Sequence, residues 1–310
     1  MKLHQPYISI VGPTASGKSA LGLSLAQRLE GTIINGDSVQ LYRGFDIGSA
    51  KPSLDEQQKI PHRLFDTTDF SNPWDASKYA AVARECIKET LQQGRIPIVV
   101  GGSGLYLKAL WGDTFDDLPS SQKLRDALDQ ETTIDLYERL HQMDPTRHAQ
   151  LNINDRFRIR RAVELCTLLG EPVSTVYNKS TPQGDFFPRW IIFMHPERSV
   201  LHQRIHIRCQ EMMTSGLIEE TQQLLTQGCP VEAAPMKSIG YKQVSTWLQT
   251  PAELRSSTKD LGNKIVAATR QYAKRQVTWF KKISYTHKLE TNSPTTETIE
   301  KIVQEVAHQF

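Results

Sequence analysis

The chain has 310 residues, of which 38% are hydrophobic and 23% charged, and a formal net charge of +3. That balance excludes the disordered, collagenous and disulfide-framework classes, and no run of about 18 apolar residues is present, so no transmembrane helix is predicted. The cysteines, Cys86, Cys166, Cys209 and Cys229, are scattered without a C-x-x-C, which points to a reducing cytoplasm, and so small a net charge confines any nucleic-acid binding to local basic patches.

The opening residues lead straight into a first strand, Tyr7–Val11, which leaves no room for a signal peptide, and a helix is predicted over Lys18–Leu29. Between them Gly12, Pro13, Thr14, Ala15, Ser16, Gly17, Lys18 and Ser19 fit G-x-x-x-x-G-K-[ST], the phosphate loop pattern, in the strand–loop–helix setting the pattern needs. Amides at the helix N-terminus can face phosphate oxygens, Lys18 supplies a point charge, and the Ser19 hydroxyl can ligate Mg2+. A pattern match attaches the label nucleotide-binding or ATP-binding. The motif itself specifies a phosphate or diphosphate and not its bearer.

A second strand, Thr32–Asn35, is followed by Asp37, at the carboxyl end of the sheet where ligands of open α/β sheets bind. There it is a general base, a metal ligand or a turn residue. A helix over about Ala76–Gln92 and a strand over Ile96–Val100 come next. That strand runs into Gly101-Gly102-Ser103-Gly104, where ATPases and GTPases place an Asp for Mg2+. The glycines permit close backbone approach to a ligand, or they mark a plain strand-to-helix turn.

From Leu118 to about Pro188 apolar residues recur at helical spacing, and Trp190–Met194 then returns the chain to the sheet. Helices follow at about Ser199–Ser215, Leu217–Gln227 and Pro251–Ser284, and a last short one closes the chain. The class is therefore α/β: a parallel-sheet core like that of P-loop NTPases, flanked by helices, over residues 1–115 and 189–310, with a helical insertion domain over 116–188. Two basic segments stand out. Arg156, Arg158, Arg160 and Arg161 crowd one helix start, and residues 263–282 carry Lys264, Arg270, Lys274, Arg275, Lys281 and Lys282 with no acid. The aromatics Tyr272, Trp279 and Phe280 are interleaved there, so the segment is an RNA-facing surface with base-stacking rings, or a solvated face over core aromatics. Neither Asn-Lys pair continues to the Asp of a guanine-reading motif, and neither H-E-x-x-H nor paired Cys/His spacing occurs.

These segments together resemble the tRNA dimethylallyltransferases of bacteria. The likeness is carried by residues 12–19, 37–52 (Asp-Ser-Val-Gln-Leu-Tyr-Arg-Gly-Phe-Asp-Ile-Gly-Ser-Ala-Lys-Pro), 61–66, 100–110, 154–164, 239–243 and 269–280. The resemblance implies transfer of a dimethylallyl group from dimethylallyl diphosphate to N6 of the adenosine 3′ of the anticodon, with release of diphosphate. The phosphate loop and Arg208 would then hold diphosphate, with Mg2+ on Ser19, and Asp37 and Ser103 would be catalytic. Ser103 stands where most relatives have Thr; the hydroxyl is kept and the stiffening methyl is not. The resemblance also assigns contact with the tRNA anticodon stem-loop to Asp37, Ser38, Val39, Gln40, Ser103 and Arg125, to Phe157, Arg158, Ile159, Arg160 and Arg161, and to Lys237, Ser238, Ile239, Gly240, Tyr241 and Lys242. The protein is expected to be a cytoplasmic monomer. A small-molecule kinase shares the phosphate loop but leaves the acid-free basic helix unexplained. A nucleotide-binding RNA chaperone would need neither Asp37 nor the glycine turn.

Overall fold

A computed structural model describes residues 5–112, 118–179, 186–290 and 294–309. Among these, the strands are β1 (Gln5–Val11), β2 (Thr32–Asn35), β3 (His62–Arg63), β4 (Pro97–Gly101), β5 (Pro188–Met194) and β6 (His287–Leu289). They form one six-stranded sheet in the order β3-β2-β4-β1-β5-β6. Every neighbouring pair is parallel. Parallel strands need crossovers that cover both faces, which is why β1 and β5 read as unbroken apolar runs rather than alternating ones. On one face Ile8, Ile10, Ile33, Ile98 and Ile192 pack with Leu21 and Leu25 of the helix Lys18–Arg28 and with Ile302 and Val306 of the helix Thr296–Ala307.

The chain divides into two compact units, residues 1–111 with 185–310 and residues 112–184. Near the boundary expected at 188/189, Phe187 O accepts from the Gln5 amide and Pro188 opens β5, so the chain is already back on the sheet there. The boundary expected at 115/116 lies outside the described residues; on its near side Trp111 packs against Phe187 and Trp279 within the larger unit. The smaller unit is helical and has its own core of Leu128, Leu136, Leu140, Ile159, Val163, Leu165 and Val173. Among the described residues no helix is long and apolar enough to cross a membrane.

Three expectations about elements change. The helix predicted over Pro251–Ser284 is a short 3-10 turn, Ala252–Leu254, and then an α-helix, Thr258–Phe280, because the Ser257 side chain accepts from the Asp260 amide and starts the helix afresh. The two shortest strands, β3 and β6, and the helix Tyr241–Gln249 were not predicted. The strand expected at Ile96–Val100 is displaced by one residue, so that Gly101 is its last member.

Glycines set how closely the sheet's carboxyl end packs. A Cβ on Gly101 would lie 2.1 Å from the Gly36 carbonyl oxygen and 2.5 Å from its Cα, so the turn after β2 rests backbone to backbone on β4. Gly36 N–H donates to Val100 O at 2.8 Å and Ser103 N–H to Gly36 O at 3.4 Å. Gly101→Ala is expected to lower stability by about 3 kcal/mol or more, since nothing but backbone can yield. Gly262→Ala, in a helix with nothing within 4 Å of the new Cβ, should instead raise it by about 0.5–1 kcal/mol. Urea unfolding of both variants checks the contrast.

Candidate active site

The residues from Gly12 to Ser19 form a tight loop between β1 and the helix Lys18–Arg28. Gly12 has φ 149° and Gly17 φ 94°, conformations that favour glycine, and Ala15 holds φ 61°. The Ser16 amide donates to Pro13 O, and the Thr14 amide donates to Gln276 Oε1 at 2.8 Å. No partner is found among the described residues for the amides of Ala15, Gly17, Lys18 and Ser19, and Gly17 caps the helix without a side chain. Four unengaged N–H groups at the positive end of a helix make an anion site. The Ser16 hydroxyl, fully buried, likewise finds no partner among the described residues.

The cations around this loop come from two elements. Lys18 Nζ donates to Pro13 O at 2.7 Å. Arg204 and Arg208, one turn apart on the helix Arg198–Thr214, reach Ser16 O at 3.5 Å and Ser49 O at 3.4 Å. Burial and then the Arg208 charge pull the Lys18 ammonium from its ordinary 10.5 down to about 7, against the opposing pull of Asp37. Burial also lowers Arg208.

Asp37 stands two residues beyond β2, held by Asn35. The Asn35 side chain, wholly buried, accepts from the Asp37 amide at 2.8 Å and donates to Asp37 O at 3.0 Å and Leu64 O at 2.9 Å. One Asp37 carboxylate oxygen accepts from the Val39 amide at 2.8 Å, which is the turn role. The other has no hydrogen-bond partner among the described residues, so turn and reactive roles coexist in one side chain. Ser103 sits behind this turn: its Oγ accepts from the Ser38 amide at 3.0 Å and lies 3.2 Å from Ser38 Oγ, with only 7% of the residue exposed. Its hydroxyl donates to Ser38 Oγ. Tyr272, beside Ser103 and Gln276, has its hydroxyl pushed up by burial and by the Asp37 charge.

One cavity of 760 Å³ joins these parts. The phosphate loop, Asp37, Gln40, Lys51, Arg204, Arg208 and Tyr272 line it, together with apolar Leu21, Ile33, Phe65 and Val100. Gln40 is fixed there by donation to Ser49 O and Ala50 O, both at 3.0 Å. Two residues that the sequence did not single out hold the 42–51 segment. Lys51, 4% exposed, binds Tyr42 O, Asp46 and Asp66. Glu220 accepts from the amides of Asp46, Ile47 and Gly48 and from the Tyr241 hydroxyl at 2.6 Å. Tyr241, expected at an RNA surface, is therefore fully buried beneath that turn, and its position is a correction. Lys237 and Lys242 beside it are exposed, Ser238 and Ile239 half-buried, and Gly240, at φ 98°, turns the chain into the helix Tyr241–Gln249.

The three aromatics of the acid-free segment part: Tyr272 lines the cavity, Trp279 is half-buried and Phe280 is in the core. Lys264, Arg270, Lys274 and Arg275 are exposed on the helix Thr258–Phe280, but Phe280 is buried against Phe193. Trp279 lies so close to Gly104 that a Cβ there would be 2.8 Å from its ring.

In the smaller unit the arginines are largely spoken for. Glu164, 1% exposed, takes Arg125 at 2.9 Å, Arg161 at 2.7 Å and the Ser121 amide at 3.0 Å. Burial would raise this carboxyl, but those three donors outweigh it and hold it below the ordinary value. Arg156 is tied to the carbonyls of Asp129 and Glu131, and Arg160 to Asp129. Arg158 pairs with Asp155 at 3.2 Å while its side chain stays 67% exposed, and Phe157 is 69% exposed. Ile159 is buried in the unit's core, which corrects its expected place at the surface.

Lys18 makes the free site costly. The unfolded chain binds its proton up to about pH 10.5 and the folded chain only to about 7, so between these values stability rises with pH, and below 7 the full penalty stands. Lys18→Met is expected to raise the melting temperature, with a gain larger near about pH 6 than near about pH 10. A gain that grows with pH in differential scanning calorimetry would contradict this.

The family described as IPP transferase matches residues 40–283 of the chain. A tRNA dimethylallyltransferase of Desulfitobacterium hafniense is 38% identical over 288 residues, covering 90% of this chain and 89% of that relative. One of Syntrophobacter fumaroxidans is 40% identical over 280 residues, covering 89% and 81%. The solved full-length tRNA isopentenylpyrophosphate transferase of Bacillus halodurans is 31% identical with a TM-score of 0.69, covering 98% of this chain and 96% of that one. A eukaryotic dimethylallyltransferase, solved in states acting on tRNA, is 29% identical with a TM-score of 0.77, covering 88% and 69%.

Proposed function

The chain belongs to the IPP transferase family, and from that premise we propose that it is a tRNA dimethylallyltransferase. It transfers the dimethylallyl group of dimethylallyl diphosphate to N6 of the adenosine 3′-adjacent to the anticodon. The observation that carries this reading is the joint presence, in one cavity, of the unengaged loop amides with Lys18 and Arg208 on one side and the carboxylate of Asp37 on another. A charged head with a hydrocarbon tail also suits a cavity that pairs these cations with Leu21, Ile33, Phe65 and Val100.

The loop amides, Lys18 and Arg208 hold the diphosphate and take up the charge that grows on it as the C1–O bond breaks. The adenine amine attacks C1, and its proton passes to the unpartnered oxygen of Asp37 as, or after, the C–N bond forms, because a neutral aryl amine N–H is too weakly acidic for a carboxylate to ionise it beforehand. Ser103 acts through Ser38, holding the turn that aims Asp37. The exposed Ser19 hydroxyl at the first helical turn fits a cation that keeps most of its waters, so Ser19 and diphosphate oxygens would hold Mg2+, which would add charge neutralisation on the leaving group. The substrate adenosine is reached by flipping it out of the anticodon loop. Arg158 and Phe157 on the smaller unit, with Lys237 and Lys242 on the larger, are the exposed groups offered to RNA. The protein works as a monomer in the cytoplasm, a setting its four unpaired, buried cysteines suit.

Incubation with unmodified tRNA, Mg2+ and labelled dimethylallyl diphosphate should place label in RNA; ATP hydrolysis without transfer would refute the assignment. Asp37→Asn, which keeps the acceptor for the Val39 amide, should lower the single-turnover rate by about 10²–10⁴ with tRNA affinity retained. Arg158→Ala should weaken tRNA binding evenly and reduce the salt slope of log K by about 1. Arg161→Ala is expected to cost fold stability as well, since it strips a partner from buried Glu164.

A further inference from the structure

We infer that Gln276 is a positioning residue that fixes the diphosphate-holding loop against the turn behind the catalytic carboxylate; this rests on the reading of the cavity just given. Gln276 sits on the helix Thr258–Phe280 with 6% exposure, and both ends of its amide are used. Its Oε1 accepts from the Thr14 amide at 2.8 Å, and its Nε2 donates to Gly102 O at 2.9 Å. The orientation of the amide is dictated by its partners, since an N–H must meet oxygen and a carbonyl must meet the NH2. One side chain therefore ties the loop after β1 to the turn after β4, 88 residues further along. The fit leaves no slack: a Cβ on Gly102 would lie 2.5 Å from Gln276 Nε2 and 3.1 Å from Gly12 O. The same bond removes the Thr14 amide from the anion site and leaves those of Ala15, Gly17, Lys18 and Ser19 for the ligand. One turn earlier on the helix, Tyr272 lies beside Ser103, which holds Ser38 next to Asp37. The helix is thus a strut with one contact on the leaving-group side and one on the acceptor side. No residue lacking both a donor and an acceptor at that length can replace Gln276.

The test uses inorganic diphosphate as the probe, with calorimetry on the full chain, and then the transfer assay. Gln276→Glu keeps the size and the Thr14 contact but, ionised, sets a carboxylate against Gly102 O; protonated, it donates there and restores the bridge. The titratable groups lining the cavity with this position are Lys18, Asp37, Lys51, Glu56 and His62, then Arg204, Arg208 and Glu211 from the helix Arg198–Thr214, and the Tyr272 hydroxyl on its own helix. The same groups surround the position in Gln276→Met, which adds no charge, so the ratio of each variant to wild type is the readout. Relative to wild type, Gln276→Glu should bind diphosphate about tenfold more weakly near pH 8 and recover to within about twofold near pH 5.5, because burial raises the new carboxyl. Gln276→Met should stay weak at both. In transfer, the loss should fall on kcat and on KM for the prenyl diphosphate, with KM for tRNA unchanged. A flat Gln276→Glu ratio across pH, or wild-type binding by Gln276→Met, overturns the inference; if Gln276→Met does not fold, the Gln276→Glu ratio decides. Wild-type chain that binds diphosphate but transfers no label refutes the proposed function while leaving this test standing, and wild-type chain that binds no diphosphate overturns both.

Discussion

The contact on which the site depends is one between backbones. Gly36 and Gly101 touch with no side chain between them, at the carboxyl ends of β2 and β4. Because that approach is so close, Ser103 reaches Ser38, Asn35 closes on both sides of Asp37, and Gln276 spans from Gly102 to the phosphate loop. A methyl group at the contact would separate the acceptor side of the cavity from the leaving-group side. At Gly101, the end of β4, the space that a metal-binding Asp would need is taken up by backbone packing. The departure from an ATPase pattern is a structural requirement of this site as much as a chemical choice.

Electrostatics complete the arrangement. The loop amides, Lys18, Arg204 and Arg208 gather at one cavity, and burial, with the Arg208 charge second, loosens the hold of Lys18 on its proton. An anion bound at the loop would offset that cost and favour the ammonium. The smaller unit treats its arginines differently. There Glu164 neutralises two of them and fixes their geometry, and Arg158 is left as an outward charge.

How much of this could be read beforehand follows from the range of each interaction. The first strand, the phosphate loop and the helix after it are contiguous, so pattern alone placed them. The insertion announced itself by a switch from buried apolar runs to helical spacing. The edge strands β3 and β6 carry two and three residues, and their strand character exists only through pairing with Ile33–Ile34 and Ile192–Met194. Gln276 lies inside a recognisable motif, yet its role depends on partners at Thr14 and Gly102, which no local pattern connects to it. Likewise the charge run at Arg156–Arg161 could not reveal that Asp129 and the carbonyls of Asp129 and Glu131 hold Arg156 and Arg160, because those partners lie more than twenty residues away; the Arg161–Glu164 pair, three residues apart on one helix, is local. Tyr241 and Ile159 were misplaced for a related reason: a ring or an aliphatic chain beside basic residues looks the same in sequence whether it faces RNA or the core.

The strand order carries a consequence for how the chain is made. β1 is central, but one of its two neighbours is β5, whose first residue leaves the ribosome only after the whole insertion has been synthesised. Until then the N-terminal portion can assemble only β3-β2-β4-β1, with one edge of β1 unpaired and apolar Ile8 and Ile10 short of their cover. The insertion, with its own core, can consolidate meanwhile, so the fold is completed late, by non-local pairing, and the nascent chain carries an open parallel edge through much of its synthesis.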